Sequence, residues 1–319
     1  MQKRKLGRSG LSIAPVVFGG NVFGWTADEQ TSFTLLDAFL DAGYNAIDTA
    51  DVYSRWIDGH SGGESETVIG KWLKARNIAR DRVVIVTKVG MDMGQGKPDL
   101  SAKWIIEEVE NSLKRLQTDY IDLYLSHTFD PDTSHEETLG AYAKLKEQGK
   151  IRAIGCSNFD ASQLQASFDA AAKAGLPAYD VIQPEYNLYT RDRFEGPLAD
   201  LCIKNDIGVI SYYALAAGFL SGKYRKAEDT QGKARSYRVG DYLNDKGHRI
   251  LKALDTVAAE TKTTPATVAI AWVAARPGIT APIASATSLT QLEAMIKAGN
   301  LTLTKEQMTL LNEAGADNT

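Results

Sequence analysis

Residues 83–90 read VVIVTKVG: four apolar, largely β-branched residues, then Thr87, Lys88, Val89 and a turn glycine. An apolar run of this kind fits a strand buried on both faces, as in a parallel sheet covered by helices. Seven more runs of similar character punctuate the chain: APVVFGG (14–20), YNAIDTA (44–50), DYIDLYLSH (119–127), IRAIGCS (151–157), YDVIQPE (179–185), IGVISYY (207–213) and ITAPIAS (279–285). Between them lie longer amphipathic segments that open with helix-capping chemistry, a side-chain oxygen followed three residues later by an acid or amide. Thr26 to Glu29, Ser61 to Glu64, Ser134 to Glu137, Asp160 to Gln163 and Ser288 to Gln291 all fit. After Ser101, residues Ile105, Val109, Leu113 and Leu116 form one stripe with acids and lysines opposite, which is the pattern of a helix lying on a sheet.

Strand alternating with helix eight times predicts an α/β fold, a (β/α)8 TIM barrel formed by residues 1–319 as a single domain. The competing open, doubly wound sheet would carry G-x-G-x-x-G after its first strand. The chain has FGGNVFG there (18–24), and no Walker-type loop. Three pieces lie outside the eight units. KRKLGRSGLSI (3–13) reads as a hairpin with Gly7 and Gly10 in its turn, closing the bottom of the barrel. Residues 221–248 are polar, punctuated by Gly and rich in Lys and Arg, longer than a routine βα loop. TTPATVAIAWVAARPG (263–278) reads as an extra helix with Pro265 in its first turn and Gly278 after it.

Bulk properties narrow the function. Hydrophobic and charged fractions of 44% and 24% are those of an ordinary globular protein, which argues against disorder. A formal net charge of −4 offers phosphate backbones no attraction, so no nucleic-acid partner is expected. The two cysteines, Cys156 and Cys202, each fall inside an expected strand or helix, which favours a reducing compartment over a disulfide framework. Met1 leads into QKRKLGRSG with no apolar stretch behind the charges, unlike a signal peptide, and no run approaches the roughly 18 apolar residues of a membrane helix. These features give a cytoplasmic enzyme-sized domain with no membrane association; they leave the oligomeric state open.

In a closed eight-stranded barrel the active site lies at the carboxyl ends of the strands. The second run ends in Asp48 with Tyr53 in its loop, the third in Lys88, and the fourth in His127. Each alone has a bland reading: a turn cap, a wall residue, a snorkelling lysine, a satisfied core histidine. Together they cohere. A phenol ionises near pH 10, so a tyrosine donating a proton near neutrality benefits from an adjacent cation, and lowering it by ~3 units takes ~4 kcal/mol. Lys88 is a candidate for that cation, Asp48 for the acid that keeps Lys88 charged, and His127 for the group that orients a substrate oxygen. No nucleophile, metal set or phosphate loop accompanies them.

These motifs resemble the aldo-keto reductases over nearly the whole chain. AIDTADVY (46–53) is similar to the family's strand-2 signature, VIVTKVG (84–90) to its lysine strand, DYIDLYLSH to its histidine strand, and GGESETVIGKWL (62–73) to the helix that follows the tyrosine. The resemblance implies that Tyr53 is the proton donor, that Lys88 and Asp48 depress its pKa, and that His127 orients the carbonyl. It also implies a nicotinamide cofactor. Ser157, Asn158 and Gln183 would hold the carboxamide, and Tyr212 would stack on the ring. Gly20, Asn21 and Asp48 would lie beside it, and Leu215, Gly218, Leu220, Gly222 and Lys223 would line the pyrophosphate. The 221–248 stretch would then be a strap over the cofactor.

The chain departs from the family pattern after the last strand. NADPH-dependent members place a cation there for the adenosine 2′-phosphate; this chain offers Ser285, Thr287 and Gln291. Hydroxyls and a helix amino terminus also bind phosphate, and the basic 221–248 stretch offers Arg225, Lys233, Arg235 and Arg238, so NADP(H) is favoured weakly over NAD(H). Phe23, Trp25, Tyr53, Trp56, His127 and Phe129 are expected at the pocket mouth, an apolar, aromatic lining suited to a bulky or aromatic carbonyl in a small-molecule carbonyl or alcohol substrate. Two alternatives stand beside the reductase: a cofactor-binding redox sensor or regulatory subunit with little turnover, and a lyase that forms a Schiff base on Lys88.

Overall fold

The protein is described as a computed structural model, which covers residues 2–231 and 236–317. An antiparallel hairpin, β1 (Arg4–Lys5) and β2 (Ser12–Ile13), precedes eight parallel strands: β3 (Val17–Gly19), β4 (Ala46–Asp48), β5 (Val84–Val89), β6 (Ile121–Ser126), β7 (Ile151–Ser157), β8 (Val181–Gln183), β9 (Gly208–Ser211) and β10 (Ala281–Ala284). They close into a barrel in chain order, β10 pairing with both β9 and β3. All eight fall within the runs read from the sequence.

Outside the strands lie α1 (Glu29–Asp41), α2 (Glu64–Ala75), α3 (Ala102–Leu116), α4 (His135–Glu147), α5 (Ala161–Ala174) and α6 (Pro197–Lys204). The chain continues with α7 (Ser236–Val239), α8 (Asp245–Thr261), α9 (Pro265–Ala274), α10 (Leu289–Ala298) and α11 (Lys305–Ala314). Ser101, Ser134, Asp160 and Ser288 cap α3, α4, α5 and α10 as their spacing predicts. Two starts differ. Helix α1 is capped by Asp28, which accepts from the Thr31 amide, because Ala27 is tied back to Phe23 in a bridge that keeps Thr26 out of the helix. Helix α2 has Gly63 at its cap in the left-handed region, and the Glu64 carboxylate instead accepts from the Ser61 and Gly62 amides.

Two cores follow from the period-two geometry of a strand. One face of each strand packs under the helices, where Ile47, Ile85, Tyr124, Ile154, Ile182 and Val209 join the large outer core. The other face fills the barrel with Val17, Ala46, Val84, Val86, Leu123, Leu125, Ala153, Val181, Ile210 and Ala281. Leu6 and Ile13 of the hairpin belong to this inner core, and the Arg8 amide donates to the Asp206 carbonyl at the amino end of β9, so the hairpin plugs the bottom. In the described parts of 221–248, short 3-10 turns lie at Ala227–Thr230 and Gly240–Tyr242, with α7 before the second, and α8 begins at Asp245.

Candidate active site

Continuing the inward parity of each strand by two residues at a time brings polar groups to the carboxyl rim. Val84 and Val86 lead to Lys88, Ala46 to Asp48, Leu123 and Leu125 to His127, Ala153 to Ser157, Val181 to Gln183, and Ile210 to Tyr212. The barrel therefore aims these side chains at one place, beneath a cavity of about 850 Å³. A second depression, of about 900 Å³, lies near the carboxyl ends of α2 and α3 and holds none of these residues.

Lys88 is fully buried, and its ammonium donates to Asp48 Oδ2 (2.8 Å), the Thr49 carbonyl (2.7 Å) and Tyr53 Oη (2.8 Å). All three ammonium donors are thereby used. Burial pulls the Lys88 pKa down, and Asp48 first, then Asp51 and Glu66, oppose that. Tyr53 donates to Asp48 Oδ2 at 3.2 Å. Its acidity differs from the sequence expectation. Burial, followed by the Asp48 carboxylate, pushes the phenol well above its ordinary value, so Tyr53 keeps its proton. The His127 ring lies edge-on to Tyr53 with centroids 6.0 Å apart. Burial, then the Lys88 charge, holds its pKa well below 6.5, so the ring is neutral. Among the described residues its Nδ1 is buried without a hydrogen-bond partner.

A second group continues from the first. Gln183 Nε2 donates to Asp48 Oδ1 at 2.8 Å, and Ser157 Oγ donates to the Gln183 carbonyl at 2.8 Å. Asn158, at φ +59°, donates to the His127 carbonyl (2.9 Å) and accepts from Tyr212 Oη (2.7 Å). The cavity then runs past Leu215, Gly218 and Lys223 to Ser285, Thr287 and Gln291 at the amino end of α10, with Asn21 opposite, bonded by Ser285 Oγ at 2.8 Å.

Some expected residues lie elsewhere. Phe23 is fully buried and stacks on Phe18, Phe129 packs edge-on against Phe159, and Leu220 is fully buried in the outer core, so none of the three lines the cavity. Gly20 and Gly222 sit behind its wall; a Cβ at Gly20 would meet the Asp48 carbonyl at 2.8 Å. Trp25 supports Trp56 edge-on at 5.5 Å, and Trp56, 48% exposed, stands at the rim. Arg225 is committed to a two-pronged pair with Asp255 on α8, Arg238 lines the cavity, and Lys233 and Arg235 lie outside the described residues. The sequence reading missed Thr49, Glu185, Tyr213, Met91 and Thr264. Glu185 continues the Gln183 parity and was findable; the others are placed by loops.

Comparison with known proteins agrees with this geometry. The Aldo/keto reductase family model matches residues 15–316. An uncharacterized oxidoreductase of Bacillus subtilis strain 168, YrpG, is 34% identical over 98% of this chain and 95% of its own. The aldo-keto reductase YhdN of the same organism is 34% identical over 95% and 89%. A probable voltage-gated potassium channel subunit beta of Oryza sativa subsp. japonica is 34% identical over 93% and 91%.

Proposed function

Starting from the chain's membership of the aldo/keto reductase family, and so of the oxidoreductases, we propose that it reduces the carbonyl group of a small aldehyde or ketone with a nicotinamide cofactor, or oxidises the corresponding alcohol. The observation that carries this reading is the buried triangle of Asp48, Lys88 and Tyr53 beside a neutral His127 at one end of an elongated cavity.

The cavity suits such a cofactor. Its volume is in the upper range of small-molecule sites, and the amides of Asn158 and Gln183, the Tyr212 ring and Lys223 line it in sequence. Ser157, Asn158 and Gln183 would hold the carboxamide, Tyr212 the ring face, and Lys223 the pyrophosphate. When bound, the nicotinamide supplies or takes up the hydride. Tyr53 gives its proton to the carbonyl oxygen, and the ammonium 2.8 Å away stabilises the phenolate left behind. Neutral His127 is a hydrogen-bond partner for the same oxygen and fixes its direction. Phosphate at the far end would meet hydroxyls and the α10 amino terminus, which supports NADPH ahead of NADH. A cytoplasmic site of action goes with this reading.

Replacing Tyr53 by Phe is expected to lower kcat on aldehydes by at least ~10²-fold while NADPH affinity, followed by intrinsic fluorescence, changes little. An unchanged kcat overturns the assignment of the acid, and absence of binding by NADPH and NADH overturns the enzyme. The likeness to the rice channel subunit favours a second reading, a regulatory subunit that binds cofactor and turns over slowly; it predicts slow reduction by both proteins. The Schiff-base alternative loses support, since the three hydrogen bonds of Lys88 leave no lone pair for attack.

A further inference from the structure

We propose that Gln183 is a positioning residue for the Tyr53 proton, holding the Asp48 carboxylate in register with Lys88 and Tyr53 by donating from Nε2 to Asp48 Oδ1. The proposal rests on the carbonyl-reducing reading above.

Asp48 has two carboxylate oxygens with different duties. Oδ2 accepts from Lys88 on the neighbouring β5 and from Tyr53 in the loop that follows β4 itself. Oδ1 accepts from Gln183 at 2.8 Å, a residue 135 positions away whose strand is separated from β4 by three others around the barrel. With Oδ2 alone engaged, a partial rotation about Cβ–Cγ could tilt the carboxylate plane and carry Oδ2 out of line with Lys88 and Tyr53. A donor on Oδ1, reaching across the barrel, locks that rotation. Gln183 is itself fixed: β7 and β8 pair with Ser157 opposite Gln183, and Ser157 Oγ donates to the Gln183 carbonyl. Both Asp48 and Gln183 are 2% exposed, so the bond is screened from bulk solvent, and a bond to a charged acceptor in such surroundings is stronger than one in solvent.

The bond also tunes charge. Donation to Oδ1 draws density from the carboxylate, which then competes less for the phenol proton. Removing it leaves more negative charge on Oδ2 against Tyr53 and a phenol that releases its proton less readily. The same amide stands among the groups proposed to hold the carboxamide, so one side chain would link cofactor seating to acid strength.

The test is Gln183→Met, which keeps length and removes the donor, with Gln183→Asn as a second variant that keeps the amide but falls short of Asp48. At saturating cofactor, kcat is expected to fall about tenfold and the basic limb of its pH profile to move up by about one unit, the size of one charge-assisted hydrogen bond. Independently of cofactor, the tyrosine Cζ carbon resonance that disappears in Tyr53→Phe should shift in both Gln183 variants. An unmoved resonance together with an unmoved pH limb overturns the proposal, whatever happens to cofactor affinity. If the wild-type protein reduces no carbonyl, the reductase reading fails, and the resonance still decides the role of Gln183.

Discussion

Tyr53 sits between a cation and an anion, with Lys88 Nζ at 2.8 Å and Asp48 Oδ2 at 3.2 Å. Its resting proton is secured by burial and by Asp48, while in the proposed reaction Lys88 would stabilise the charge left once the proton goes. On the proposed mechanism, the acid strength expected from the sequence would belong to the moment of transfer. His127 gives a prediction at this scale. Its imidazole pKa is depressed in the fold by burial and by Lys88, so the unfolded chain binds a proton the folded chain refuses. The stability this contributes is complete above the unfolded pKa of about 6.5 and is lost as pH falls below it. His127→Gln should therefore lose less stability than wild type between pH 6.5 and 5, by about 1–2 kcal/mol, in urea unfolding at the two pH values. Equal losses would place the imidazole's pKa near that of a free histidine.

Among the strands, β7 is the least forgiving. A Cβ on Gly155 would come within 2.4 Å of the Val181 carbonyl and 2.5 Å of Leu125 Cδ2, so the inner layer closes there only around hydrogen. Gly155→Ala should cost about 1–3 kcal/mol by overpacking. It should also weaken cofactor binding, because Ser157 and Gln183 lie at the paired ends of the strands it would separate. Thermal unfolding and a fluorescence titration together check this; loss of stability without loss of binding would mean the strand ends absorb the shift. Caps behave more locally. Asp160 and Gln163 form the reciprocal box that four letters of sequence announce, whereas the Thr26 cap fails because the Phe23–Ala27 bridge holds the preceding turn. A local signal holds where no distant contact competes with it.

Across the whole molecule, the hairpin closes one end of the barrel and the candidate site lies at the other. Leu6 is fully buried among the inner-core residues, far along the strands from Lys88, so Leu6→Ala should cost about 2–5 kcal/mol and leave cofactor affinity and kcat unchanged below the melting transition. A change in kcat would show that the two ends communicate. Eight apolar runs, their spacing and the residue type at each strand end were legible in the sequence, because strand periodicity and helix capping arise from contacts only a few residues apart. The four candidate residues were legible for the same reason, Asp48, Lys88 and His127 standing at or near the ends of runs and Tyr53 in the loop after the first of them. Three things were decided only by the closed barrel: that Gln183 meets Asp48, that Phe23 turns into the core while Phe129 packs against its edge, and that burial pushes the Tyr53 phenol up. Each depends on groups far apart in the chain, and on a burial that exists only once the ring of strands is complete.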